Sequence, residues 1–219
     1  MSGERPTVAL VHATQASIGP ALAAFADRFP GARLWNLLDD LLISEAEEAG
    51  GVTPALRARM LGLIRHAVDG GADAVLLTCS MYGPVALEAA ADHRVPVLSS
   101  DQALFDQVAS HEPAAVAVLG PVRAGVADTV ERLRDRIGDV RVTGIVVDGS
   151  RAAAGDTALL GRLVADEARR AEPGADLIVL GQFSLAPAHS AVEAAVSVPV
   201  LSPPRLAVDV LREHFEARP

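Results

Sequence analysis

The sequence contains no lysine, because all 19 basic residues among its 219 positions are arginine. This absence excludes an internal Schiff base to pyridoxal phosphate or a carbonyl substrate, and it excludes a P-loop lysine. Cysteine is almost absent too, since Cys79 stands alone. One cysteine excludes an intramolecular disulfide, a multi-cysteine metal site and an iron–sulfur cluster, and it suits a reduced, cytoplasmic compartment.

Positive charge is also in short supply, with a formal net charge of −9 and no run rich in arginine. Nucleic acid and anionic membranes would therefore repel the chain, and we expect neither as a partner. No apolar run of 18 residues is present to span a bilayer, and the first six residues have no apolar core of a signal peptide. Aromatic residues make up only 3% of the chain, so a small acid suits its pocket better than a nucleobase.

Short β-branched runs alternate with longer segments of helical period, which is the pattern of an α/β protein with buried parallel strands. The predicted strands are Thr7–His12, Ala74–Cys79, Val95–Leu98, Ala115–Leu119, Val142–Val147, Asp176–Leu180 and Val198–Leu201. The predicted helices are Pro20–Arg28, Pro54–Val68, Val85–Ala91, Gln102–Ala109, Val122–Arg136, Thr157–Arg170 and Arg205–Glu216.

An internal repeat appears when the sequence is shifted by 103 positions. The matching segments are Gly71–Asp73 with Gly174–Asp176, Leu77 with Leu180, Pro84 with Pro187, and Val95–Ser99 with Val198–Ser202. Such self-similarity predicts two related, pseudo-symmetric parallel-sheet halves. We place an N-terminal α/β half at residues 1–112 and a C-terminal half at 113–219, with a final helix that can pack back on the first half.

Ligands of open α/β sheets bind beyond the carboxyl ends of the strands, so the equivalent loops there are the candidate site. The repeat aligns the loop Thr78–Pro84 with the loop Gly181–Pro187, and it aligns Cys79 with Gln182. If the two halves face each other, these residues flank a cleft between them. The segment His12–Gln15, which ends the first strand, is expected to line the same cleft.

The chain contains two α/β repeats, and in each of them a candidate reactive position follows a strand that starts at a Gly-Ala-Asp sequence. This arrangement resembles the aspartate/glutamate/hydantoin racemase superfamily. The segments that carry the resemblance are His12–Thr14, Asn36–Asp40, Thr78–Ser80 and Gln182–Ser184. The resemblance implies a racemase-like tandem fold, homo-oligomerisation and chemistry without a cofactor or metal. It also implies two cysteines, one in each half, that move protons at a carbon next to a carboxylate. Arylmalonate decarboxylase and maleate isomerase are related to this superfamily.

The chain departs from that pattern at the second cysteine position, where Gln182 has no proton that ionises near neutral pH. We therefore predict an isomerase or lyase in which Cys79 transfers a proton on one face of a small carboxylate substrate. The predicted substrate-binding residues are His12, Thr14, Gln15, Ser80, Met81, Tyr82, Gln182, Phe183 and Ser184. The alternative is a non-catalytic small-molecule binding protein on the same scaffold, and the reactivity of the Cys79 thiol separates the two.

Overall fold

The computed structural model describes residues 5–217, which form two compact units. Unit 1 contains the chain up to Ser100 and the segment from Pro204 onward, and unit 2 contains Asp101–Pro203. The strands are β1 Thr7–His12, β2 Arg33–Leu38, β3 Ala74–Leu77, β4 Val97–Leu98, β5 Ala115–Gly120, β6 Arg141–Val146, β7 Leu177–Leu180 and β8 Val200–Leu201. The α-helices are α1 Ile18–Arg28, α2 Leu41–Ala49, α3 Pro54–Asp69, α4 Gly83–Asp92, α5 Gln102–Ser110, α6 Arg123–Ile137, α7 Thr157–Ala171, α8 His189–Glu193 and α9 Pro203–Glu216.

Unit 1 is built on a four-stranded parallel sheet in the order β2-β1-β3-β4. Val8 lies opposite both Leu34 and Ala74, so β1 is a central strand. Strand β3 is buried along its whole length, as its uninterrupted apolar sequence predicts. The adjoining helix α3 starts at Pro54, and the Thr53 side chain caps it by accepting the Leu56 N–H.

Unit 2 repeats this sheet with four parallel strands in the order β6-β5-β7-β8. Val116 lies opposite both Val142 and Leu177, which makes β5 the counterpart of β1. Strands β3 and β4 recur as β7 and β8 at an offset of 103 residues, and β1 and β2 recur as β5 and β6 at an offset of 108. The predicted α/β class and its two parallel-sheet halves are confirmed.

The helices do not follow the same division as the strands. Helix α5 follows β4 in sequence but packs on α6 of unit 2, and Arg136 pairs with Asp106 there. Helix α9 follows β8 but belongs to unit 1, where Arg28 pairs with Asp209. The two ion pairs occupy matched positions of the repeat. Because of this exchange, the structure divides after Ser100 instead of at residues 112 and 113.

Three elements had no counterpart among the predicted ones: β2, α2 and α8. Strand β2 is half exposed and carries arginine and asparagine among its leucines, so it lacks a clear apolar run. Strands β4 and β8 are only two residues long, shorter than predicted, because Pro96 and Pro199 have no N–H for the ladder.

Between residues 5 and 217, no helix has the length and hydropathy needed to cross a membrane.

Candidate active site

Cys79 stands at the carboxyl end of the sheet of unit 1, two residues after β3. Its backbone is extended, and it directly precedes a 3₁₀ turn, Ser80–Tyr82, that leads into α4. The residue is buried, with 8% of its surface exposed. Helix N-termini stabilise thiolates, and two consecutive helical segments begin just after this sulfur.

The 3₁₀ turn after Cys79 contains three of the predicted substrate-binding residues, Ser80, Met81 and Tyr82, and all three are buried. The Tyr82 N–H donates to the Cys79 carbonyl oxygen at 3.2 Å. Its phenol donates to the Leu42 carbonyl oxygen at 2.9 Å. Burial, followed by the charge of Cys79, raises the pKa of Tyr82 well above its usual value. Tyr82 is therefore a neutral anchor that ties this turn to α2.

His12, at the end of β1, is fully buried and uses both of its ring nitrogens in hydrogen bonds. Nδ1 lies 2.8 Å from the Thr78 Oγ1 and 3.0 Å from the Ser17 Oγ, and these two hydroxyl oxygens are 2.8 Å apart. Nε2 lies 3.0 Å from the Asn36 Oδ1. That oxygen only accepts, so Nε2 carries a proton, and in the neutral ring Nδ1 accepts from a hydroxyl. We call His12, Ser17, Asn36 and Thr78 the His12 cluster.

The His12 cluster holds an uncharged imidazole. Burial lowers the pKa of His12, and its hydrogen bond to Asn36 offsets part of this effect. The hydrogen bonds are compatible with a neutral ring, because the Thr78 or Ser17 hydroxyl can donate to Nδ1. The cluster ends at Thr78, the residue directly before Cys79, and thereby joins β1 to the cysteine loop.

The remaining predicted residues of unit 1 lie on the loop after β1. Thr14 caps the short 3₁₀ helix Gln15–Ser17, with its hydroxyl oxygen accepting the Ala16 N–H at 3.4 Å. Gln15 is exposed and donates to Asp40 at 3.3 Å. The structure thus brings His12, Thr14 and Gln15 to the same sheet edge as Cys79, since β1 and β3 are adjacent parallel strands.

Gln182 occupies the position in unit 2 that Cys79 occupies in unit 1, two residues after β7. Its amide lies against two glycines: a Cβ added at Gly120 would be 2.4 Å from Oε1, and one at Gly125 would be 3.0 Å from Nε2. Both amide heteroatoms are buried, and neither has a hydrogen-bond partner among the described residues. The Gln182 side chain therefore depends on these glycines for space. Of its predicted neighbours, Phe183 is buried and Ser184 is partly exposed.

Four polar residues of unit 1 were absent from the predicted substrate-binding residues: Ser17, Asn36 and Thr78 of the His12 cluster, and Ser100. The Ser100 hydroxyl is buried and has no partner among the described residues. It follows β4 at the level at which Thr78 follows β3, since Leu76 lies opposite Leu98. The repeat contains a signal for three of them, because Ser17, Asn36 and Thr78 match Gly125, Gly144 and Gly181 in unit 2.

The sheet topology, the repeat and the cysteine loop agree with a match to a known family. A family model described as Asp/Glu/hydantoin racemase matches residues 42–211, and the chain belongs to this family. The resemblance noted in the sequence is confirmed. No individual curated protein matches the sequence significantly.

Solved structures of several racemases and of a decarboxylase share the fold. Allantoin racemase from Klebsiella pneumoniae is 18% identical with a TM-score of 0.72, and the match covers 96% of this chain and 88% of that one. A glutamate racemase from Bacillus anthracis is 10% identical with a TM-score of 0.73, covering 97% and 82%. Unliganded arylmalonate decarboxylase is 22% identical with a TM-score of 0.64, covering 94% and 91%. At these identities the likeness establishes the fold.

Proposed function

We propose that the protein is a cofactor-independent isomerase or lyase in which Cys79 transfers a proton at a carbon next to the carboxylate of a small acid. The observation that carries this proposal is the position of the thiol. It stands at the carboxyl end of β3 and the start of two helical segments, in a chain of the Asp/Glu/hydantoin racemase family. That is where a parallel α/β sheet binds its ligands and where helix dipoles favour the thiolate.

The chemistry needs only one ionising group on the protein. In proton exchange, the thiolate takes the proton from the carbon and becomes a thiol, while the bond electrons pass into an enediolate. The thiol then exchanges its proton with water and returns one to the carbon, which regenerates the thiolate. In decarboxylation, carbon dioxide leaves, its bond electrons form the enediolate, and the thiol returns a proton to the carbon. Water then reprotonates the thiolate. Both routes use the same residue on one face of the substrate.

Gln182 supports the one-sided form of this proposal, because an amide neither gives nor takes a proton at neutral pH. Ser80 and Thr14 of unit 1 are candidate hydrogen-bond donors for the developing enediolate, whose stabilisation by preorganised donors is worth several kcal/mol in such reactions.

Hydrogen–deuterium exchange tests the proposal directly. The protein would be incubated in D₂O with amino acids, arylmalonates, hydantoins and hydroxy acids, and proton NMR would follow loss of the signal at the carbon next to the carboxyl group. We expect exchange or decarboxylation with at least one class. Cys79→Ala should slow it by at least ~100-fold, the usual worth of a positioned acid or base. Ser110→Ala changes an exposed residue outside the site and serves as the control with unchanged activity.

Two results would overturn the proposal. Exchange that survives in Cys79→Ala would remove the thiol from the mechanism. No exchange across the panel, together with a thiol that alkylates no faster than ordinary cysteine, would favour the alternative of a binding protein. The configuration of the product tests the one-sided form separately, because a racemic product requires a second proton-transfer group.

A further inference from the structure

We infer that the His12 cluster holds the Cys79 thiol in its reactive position and that His12 is a positioning residue for this thiol. This inference rests on the proposed function of Cys79. It assigns His12 a role that needs no contact with substrate, since its ring is fully buried and both nitrogens are already bonded within unit 1.

The contacts of Thr78 explain how the cluster reaches the cysteine. The Thr78 N–H donates to the Val11 carbonyl oxygen at 3.0 Å, which continues the sheet ladder by one residue beyond β3. Its hydroxyl lies 2.8 Å from both the His12 Nδ1 and the Ser17 Oγ. The backbone and the side chain of Thr78 are therefore both fixed against β1 and the loop after it.

A second anchor holds the other side of Cys79. The Tyr82 N–H binds the Cys79 carbonyl, and its phenol binds the Leu42 carbonyl in the core. Cys79 thus lies between two buried attachment points, one at Thr78 and one at Tyr82. With both ends fixed, the sulfur keeps its place at the start of the helical segments, where the dipole favours the thiolate.

The repeat supplies an internal comparison. At the offsets that superpose the strands, His12, Ser17, Asn36 and Thr78 match glycines in unit 2. Those glycines are Gly120, Gly125, Gly144 and Gly181. The half with a thiol has the whole cluster, and the half with an amide in place of the thiol has none of it. If the cluster were needed only to stabilise the strand ends of such a sheet, we would expect it in both units.

The test is the pH dependence of Cys79 alkylation by iodoacetamide in the whole protein, which reports one thiol because the chain has one cysteine. Thr78→Val keeps the volume and removes the hydroxyl. We expect its alkylation midpoint to move to higher pH and its rate at pH 7 to fall roughly 2–5-fold, the equivalent of a helix-terminus interaction of about 0.3–1 kcal/mol. Thr78→Ser should restore the wild-type profile.

Asn36→Ala is the second variant, because Asn36 is exposed on edge strand β2 and its truncation leaves the core intact. It should move the midpoint in the same direction by a smaller amount. His66→Gln is the matched histidine control: His66 packs on Trp35 outside the cluster, and its loss should leave the profile unchanged.

An unchanged midpoint in folded Thr78→Val and Asn36→Ala would overturn the inference. A faster rate at an unchanged midpoint would also overturn it, because that result means simple exposure of the sulfur. Failure of the proposed function looks different: deuterium exchange would survive Cys79→Ala, and the wild-type thiol would titrate near the ordinary cysteine value of about 8.5.

Discussion

The two units share one backbone plan and differ at the carboxyl ends of their strands. Each has four parallel strands in the same order, and the strand bounds coincide at fixed offsets. At the strand ends, unit 1 has a buried polar cluster followed by a thiol, whereas unit 2 has glycines and Gln182. The difference shows that the same sheet accommodates either a polar cluster with a thiol or glycines with a glutamine at its strand ends. The chemistry of each half is therefore set by a few residues near these ends.

A second difference concerns buried charge. The pair Arg28–Asp209 in unit 1 recurs as Arg136–Asp106 in unit 2. Unit 2 also has Arg132 between Asp101 and Asp128, and the Arg132 guanidinium lies over the Phe105 ring. The positions in unit 1 that match Asp101 and Arg132 hold Pro204 and Ala24. The buried Asp101–Arg132 pair of unit 2 therefore has no counterpart at the matched positions of unit 1.

The largest expected effect tests this buried pair. Asp101 is 1% exposed, so Asp101→Ala leaves Arg132 without its most buried partner. We expect a loss of roughly 3 kcal/mol in the free energy of unfolding, measured by urea denaturation. Asp106→Ala removes a carboxylate of the repeated, exposed pair and should cost at most about 1 kcal/mol. Equal losses in the two variants would contradict the distinction between the two kinds of pair.

A smaller effect tests the buried Gln182 amide of unit 2. Because both amide atoms of Gln182 are buried without a partner, Gln182→Leu should raise the free energy of unfolding by about 1–2 kcal/mol. Gln15→Leu is the matched control in unit 1, where the amide is exposed and the change should stay within about 0.5 kcal/mol. Destabilisation by Gln182→Leu would show that the amide makes a hydrogen bond in solution.

The smallest effect is the pH dependence contributed by His12. Its lowered pKa means that the unfolded chain binds the proton more readily than the folded chain. Stability should therefore fall as the pH drops below the unfolded value of 6.5, with a slope below about 1.4 kcal/mol per pH unit for one group. Urea denaturation at pH 7.5 and pH 5 should show this term in the wild type and in His66→Gln. His12→Gln should lack it, and an unchanged slope there would exclude His12 as its source.

Much of the fold could be predicted because buried parallel strands leave long apolar runs. Strand β1 has the predicted bounds, and the segments around β3 and β7 aligned without gaps. Strand β2 was not predicted because it is half exposed and its apolar residues alternate irregularly with polar ones. The packing of α5 on α6 was not predicted either, since helix packing depends on partners that are distant in sequence, such as Arg136 for Asp106. The return of the final helix to the first half was among the expectations.

The candidate site was predictable only in part. The repeat located Cys79 and Gln182 as matched positions, and the apolar pattern of the first predicted strand placed His12 at a strand end. The sequence had no means of showing that the His12 ring is closed off by Ser17, Thr78 and Asn36. Those hydrogen bonds join residues from three separate segments, and local pattern carries no information about their distances.

The sequence by itself determined the class of this protein. Its apolar runs required buried parallel strands, and its repeat required two halves. The single cysteine excluded a multi-cysteine metal site, and the lack of lysine excluded an internal Schiff base. Only the tertiary structure decided which polar groups are already satisfied and which are not. That outcome depends on burial and on hydrogen-bond distances across strands, which arise only when distant segments pack together.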